Sequence, residues 1–124
     1  MKELRADCDQ SLIEEYFDQE LRKASAILPL WDGGTVWIWE FDRSIFSLTL
    51  RMEKPSTPGN LTIVCTTPLS QSGPFEWRDS ELRVTRDDKS FVVSDAKAGF
   101  VLRACVVDVL ENCDPQNSIF KVDV

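Results

Sequence analysis

GGTVWIWEFDRSIFSLTLRM, residues 33–52, decides the fold, because here the apolar residues recur with a period of two. From Thr35 to Phe41, Trp37, Trp39 and Phe41 fall on one side and Val36, Ile38 and Glu40 on the other, which predicts a strand. Asp42, Arg43 and Ser44 read as a short hairpin connection. In the strand that follows, Phe46, Leu48, Leu50 and Met52 alternate with Ser47, Thr49 and Arg51. Across such a hairpin the two apolar stripes pair, so Trp39 and Phe41 are expected in the core. Trp31, Trp37 and Trp77 lie near turns or strand ends and are expected to be partly exposed, where a cluster of them would mark a binding patch.

A wall of this kind needs a cover, and the preceding segment supplies one. Leu12, Ile13, Tyr16, Phe17, Leu21, Ala24 and Leu28 recur at helical spacing, with Glu14, Glu15, Asp18, Arg22 and Lys23 on the other side. Ser11 and Glu14 have the spacing of a capping box, which predicts a helix starting there and ending before Pro29. PLWDGG, residues 29–34, then reads as a turn.

Downstream, KPSTPGN reads as a loop, and Leu61, Ile63 and Cys65 alternate with Thr62, Val64 and Thr66 in a third strand. TPLSQSGP reads as a second loop, followed by a short edge strand from Phe75 to Trp77. Leu82 and Val84 form one arm of a hairpin, Phe91 and Val93 the other, with RDDKS at the bend. GFVLRACVVDVLEN reads as a strand in preference to a helix, since Gly99 would weaken a helix and four valines favour extended chain. Its expected faces are Phe100, Leu102, Ala104 and Val106 against Val101, Cys105, Val107 and Val109. SIFKVDV at the end alternates once more. The predicted fold is a single α+β domain over residues 1–124, with an N-terminal amphipathic helix packed on a curved, mainly antiparallel sheet of six or seven strands, a count that allows a partly closed barrel.

Composition narrows the function. The chain has 14 basic and 21 acidic residues, a net charge of −7, and no basic cluster, which argues against direct nucleic-acid binding. No apolar run is long enough for a membrane span, and MKELRADCDQSLIEEY turns acidic where a signal peptide needs its apolar region, so a cytoplasmic location is expected. Cys8, Cys65, Cys105 and Cys113 show no paired spacing and are expected to be reduced thiols. There is no histidine, which removes Cys/His zinc sites and the usual Ser/His and Cys/His nucleophile pairs. Gly33 and Gly34 precede a strand and so read as a turn, not a phosphate loop. Asp108, Glu111, Asp114 and Asn117 are oxygen donors without the order of a calcium loop, so no metal and no cofactor are expected.

These features predict a small, soluble, non-enzymatic protein-interaction or binding domain whose acidic surface meets a protein partner, a basic one in particular, through the rim aromatics Trp31, Trp37 and Trp77 and neighbouring acids. A different class is a small-molecule binding protein or histidine-free enzyme with a pocket between helix and sheet, where Glu40, Arg51 or Arg103 would orient the ligand. Self-association into a homo-oligomer through an uncovered sheet face or edge is the third expectation.

Overall fold

A computed structural model describes residues 2–112; SIFKVDV, Cys113, Asp114 and Asn117 lie outside the described residues. The first helix, α1 (Lys2–Ile27), passes into a single 3-10 turn (Leu28–Trp31) that carries Pro29 in its first positions. Seven strands follow among the described residues: β1 (Thr35–Asp42), β2 (Ser47–Lys54), β3 (Thr57–Ser72), β4 (Glu76–Trp77), β5 (Arg83–Arg86), β6 (Phe91–Asp95) and β7 (Phe100–Asn112). They form one antiparallel sheet in the order β4-β1-β2-β3-β7-β6-β5, curled into a half-barrel on which α1 packs.

The curl follows from the connectivity. Strands β4 and β5 lie at opposite ends of the sheet, a distance of about 29 Å if seven strands lay flat at about 4.8 Å spacing. The six peptide steps from Trp77 to Arg83 span at most about 21 Å. The edges must therefore approach each other, and polar contacts hold them there. Gly33 N–H donates to the Ser80 carbonyl at 2.8 Å, and Ser80 N–H donates to that of Gly34 at 3.2 Å. Arg83 grips Asp32 through two hydrogen bonds of 2.8 Å. Gly34, whose carbonyl takes part in this seam, packs so closely on β2 that a Cβ would lie 2.7 Å from the Glu53 carbonyl oxygen, which is why glycine stands there.

Inside the curl, Val36, Leu50, Met52, Leu61, Ile63, Phe91, Val93, Phe100, Leu102, Val107 and Val109 are buried, with Ala24 and Leu28 from the helix side. Tyr16, Phe17 and Leu21 pack against this core, the Phe17 ring meeting Phe91 edge-on at 4.8 Å. Lys23 adds an ion pair to Asp108 at 3.0 Å.

Several expectations need correction. The helix does not start at Ser11; it begins at Lys2, and Leu12 is exposed rather than part of the packed face. TPLSQSGP is not a loop: β3 continues to Ser72, pairing with β7 around an irregularity between Pro68 and Ser70, with Thr67 in the left-handed region at φ 54°. KPSTPGN shrinks to a tight turn, since β2 reaches Lys54 and β3 begins at Thr57. In β7 the buried set runs Phe100, Leu102, Ala104 and then Val107 and Val109. The change of parity falls where β6 stops pairing at Ala104; among the described residues the downstream half is paired with β3 alone. The β4 edge strand, the β5–β6 hairpin and the extended form of β7 are as expected.

Two predictions arise from this framework. The hydrogen bonds from Arg83 hold the Asp32 carboxyl below its ordinary pKa. Its contribution to stability is therefore present above the unfolded carboxylate range and is lost as pH falls through the depressed folded value. Asp32→Asn should flatten the acid limb of stability against pH, seen as urea midpoints that converge with those of the parent once the pH falls below the depressed folded value. Cys65 is fully buried, and burial pushes its thiol up to about 12. Ellman's reagent should therefore leave it unmodified at neutral pH until denaturant is added.

Candidate functional site

The outward surface of the β1–β2 hairpin is set by one irregularity. Asp42, Phe41 and Glu40 pair with Ser47, Leu48 and Thr49, but the next partners are Ile38 with Leu50 and Val36 with Met52. Trp39 is the extra residue, a β-bulge, and a bulge inverts the faces of everything upstream of it. Val36 and Ile38 thereby join the core side, while Trp37 stands beside Arg51 on the opposite surface. The expectation that Trp39 and Phe41 lie in the core is overturned: Trp39, the bulge residue, is 41% exposed, and Phe41, which keeps the Leu48 side of the hairpin, is 48% exposed near its end.

The same end of the hairpin carries further apolar groups. Ile45 and Phe46 occupy the turn, both exposed, and the Phe46 ring lies edge-on to Phe41 with centroids 6.1 Å apart. Phe46 is therefore a turn residue and not the first position of β2. Its backbone has φ 51°, a left-handed conformation that bulky side chains rarely adopt, and its carbonyl accepts the Thr67 N–H at 2.8 Å. Phe75, 72% exposed, lies alongside, its carbonyl accepting the Ile38 N–H at 2.9 Å. Exposed Glu40 lies next to Trp39 and Phe41, exposed Glu76 of β4 pairs with Trp37, exposed Arg43 sits in the turn, and Asp42 accepts hydrogen bonds from the Ser44 hydroxyl and amide, which lower its pKa. Trp39 is steadied by the guanidinium of Arg51, 4.9 Å from its ring centre. Arg51 itself is largely buried, and that burial lowers its pKa from the ordinary arginine value.

The sequence-predicted residues divide accordingly. Trp37, Glu40 and Arg51 come together on β1–β2, with Glu40 exposed. Trp31 and Trp77 do not join them, and their expected partial exposure is corrected to 0% and 9%. The 3-10 turn folds Trp31 back under the sheet, where its Nε1 donates to Glu111 at 2.7 Å. Trp77 turns inward from its edge strand, its ring 4.6 Å from Phe100 and its Nε1 donating to Asp95 at 2.7 Å. Arg103 stands apart on β7, ion-paired with Asp87 at the β5–β6 turn.

Ile45, Phe46 and Phe75 escaped the sequence reading as surface groups, because apolar residues near alternating runs read as core. Asp95 escaped it too, although SDAKAG, residues 94–99, carries the signal of an Asx-type turn. Among the described residues no helix is long and apolar enough to cross a membrane, and no group of three or more Cys, Asp or Glu is placed to hold a metal ion. Compared with known proteins, the chain matches no family model, no curated protein and no solved structure.

Proposed function

We propose that this chain is a non-enzymatic protein-interaction domain that binds a basic protein partner through the outward end of the β1–β2 hairpin. The observation that carries this reading is Phe46. A phenylalanine held in the left-handed region strains the backbone by about 1–2 kcal/mol, and its ring is not compensated by burial. Strain retained in an exposed side chain belongs with a use outside the fold. Trp39, Phe41, Ile45 and Phe75 extend the apolar surface around it, the composition enriched at interface centres. The flanking carboxylates Glu40 and Glu76, with the net charge of −7, favour a partner bearing lysine or arginine and speed its encounter.

The test separates binding from folding. Phe46→Gly relieves the strained backbone, so its thermal midpoint should equal or exceed that of the parent. In a pull-down from the native lysate, the parent should retain a basic protein whose capture weakens with salt, while Phe46→Gly and a Phe41→Ser/Phe75→Ser double variant should lose it. Capture that is unchanged in both variants would remove the hairpin end from any interface. A partner that is acidic or held independently of salt would contradict the electrostatic part.

A further inference from the structure

At the other end of the same hairpin, we infer that the cleft between β1 and the β2–β3 turn is a binding site for a neutral saccharide. The cleft has a volume of about 500 Å³, within the range of small-molecule sites. Its construction follows from the register. Thr35 faces Glu53 across β1 and β2, and Trp37, two residues on, shares their side of the sheet. The tight turn after Lys54 returns the chain at Thr57, which pairs with Lys54, and the turn rises as the facing wall. Gly59, at φ 84°, contributes no side chain to that wall.

The chemistry of these walls selects the ligand. One indole, Trp37, offers an apolar face to the C–H surface of a sugar ring, while two threonine hydroxyls and a carboxylate lie within the same cleft. The exposed Glu53 carboxylate accepts from sugar hydroxyls through charge-assisted bonds. Lys54 lines the edge of the cleft while its ammonium is turned to the Leu30 carbonyl, 3.3 Å away. The Glu53 carboxylate is offset by the guanidinium of Arg51, which stands beside Trp37 on the Glu53 face of β2 and feels the Glu53 charge, so the site offers no net attraction to a phosphate, a polyanion or a simple cation. A compact ring with one apolar face and many hydroxyls satisfies every wall at once. The cleft uses residues other than those of the proposed protein interface, with Arg51 lying between Trp37 of the one and Trp39 of the other.

Saturation-transfer difference NMR tests it, using cellobiose, maltose and lactose at about 20 mM with the intact chain, since sites of this kind bind in the range of about 1 mM. The expected result is transfer to the ring protons of at least one disaccharide, reduced about fivefold or more in Trp37→Ala and in Glu53→Gln. Glu53→Gln keeps the shape of an exposed side chain, so it reports even where Trp37→Ala impairs folding. No transfer from any of the three sugars, or transfer unchanged in Glu53→Gln, overturns the assignment, as does binding of glycine betaine in their place.

Discussion

Replacing Asp95 by alanine is expected to lower the stability of the protein by about 3 kcal/mol, a large part of what a domain of this size possesses. Asp95 is fully buried at the end of β6, and its carboxylate collects donors from three parts of the chain. One oxygen accepts from Trp77 Nε1 at 2.7 Å and from the Glu81 amide at 2.8 Å, the other from the Ala98 amide at 3.2 Å. Trp77 belongs to β4 and Glu81 to the segment leading into β5, so this side chain pins the connection that draws the sheet edges together. Alanine would leave the indole N–H and the Glu81 amide without their acceptor, while the Ala98 amide keeps the Asp95 carbonyl at 3.2 Å, and an unsatisfied buried donor costs about 1–3 kcal/mol. Asparagine should recover only part of the loss, since it keeps one acceptor oxygen and presents an NH2 group where the other stood. Thermal unfolding checks this: a fall of roughly 10 °C or more in Tm is expected for Asp95→Ala. A fall of less than about 2 °C would mean that the edges are held by backbone pairing and the Asp32–Arg83 contact alone.

The second large effect is expected at Trp31. Its side chain is wholly buried and its Nε1 donates to Glu111 on β7, so truncation creates both a cavity and a lost hydrogen bond. Trp31→Ala should cost about 3–5 kcal/mol, and Trp31→Phe less, because the ring volume is mostly kept. Chemical denaturation distinguishes this from a rim tryptophan, whose replacement would change stability by less than about 0.5 kcal/mol.

The two side chains show where sequence reasoning succeeds and fails here. Periodicity identified α1, the β1–β2 hairpin, the β5–β6 hairpin and the extended form of β7, because a burial pattern is written into the spacing of apolar residues. It misassigned the faces of β1, because a single extra residue at Trp39 reverses them and a bulge leaves no mark in an alternating run. Position near a turn was a poor guide to exposure: Trp31 and Trp77 sit at ends of elements that curl inward, and their burial depends on partners some 80 and 18 residues away, Glu111 and Asp95. Pro68 and Gly73 read as loop markers, yet the chain bends at Thr67 and continues in β3 to Ser72. Of the candidate surface residues, Trp37 and Arg51 are cross-strand neighbours, a pairing that the grouping of Trp37 with Trp31 and Trp77, and of Arg51 with Glu40 and Arg103, did not anticipate, because the bulge moves Trp37 to the Arg51 face. The strained Phe46 was invisible, because a backbone angle has no signature when glycine or asparagine is not the residue that adopts it.

The proposed interface depends on the bulge turning Trp39 outward while Trp31 and Trp77 face in. Labelling with 5-fluorotryptophan gives one fluorine signal for each of the 4 tryptophans, assignable through individual replacements by phenylalanine. A soluble gadolinium chelate should broaden the Trp39 signal strongly and leave Trp31 and Trp77 sharp; adding the captured partner should protect Trp39. A sharp Trp39 signal in the free protein, or one that stays equally broadened in the complex, would contradict the outward hairpin surface as the place where the partner binds.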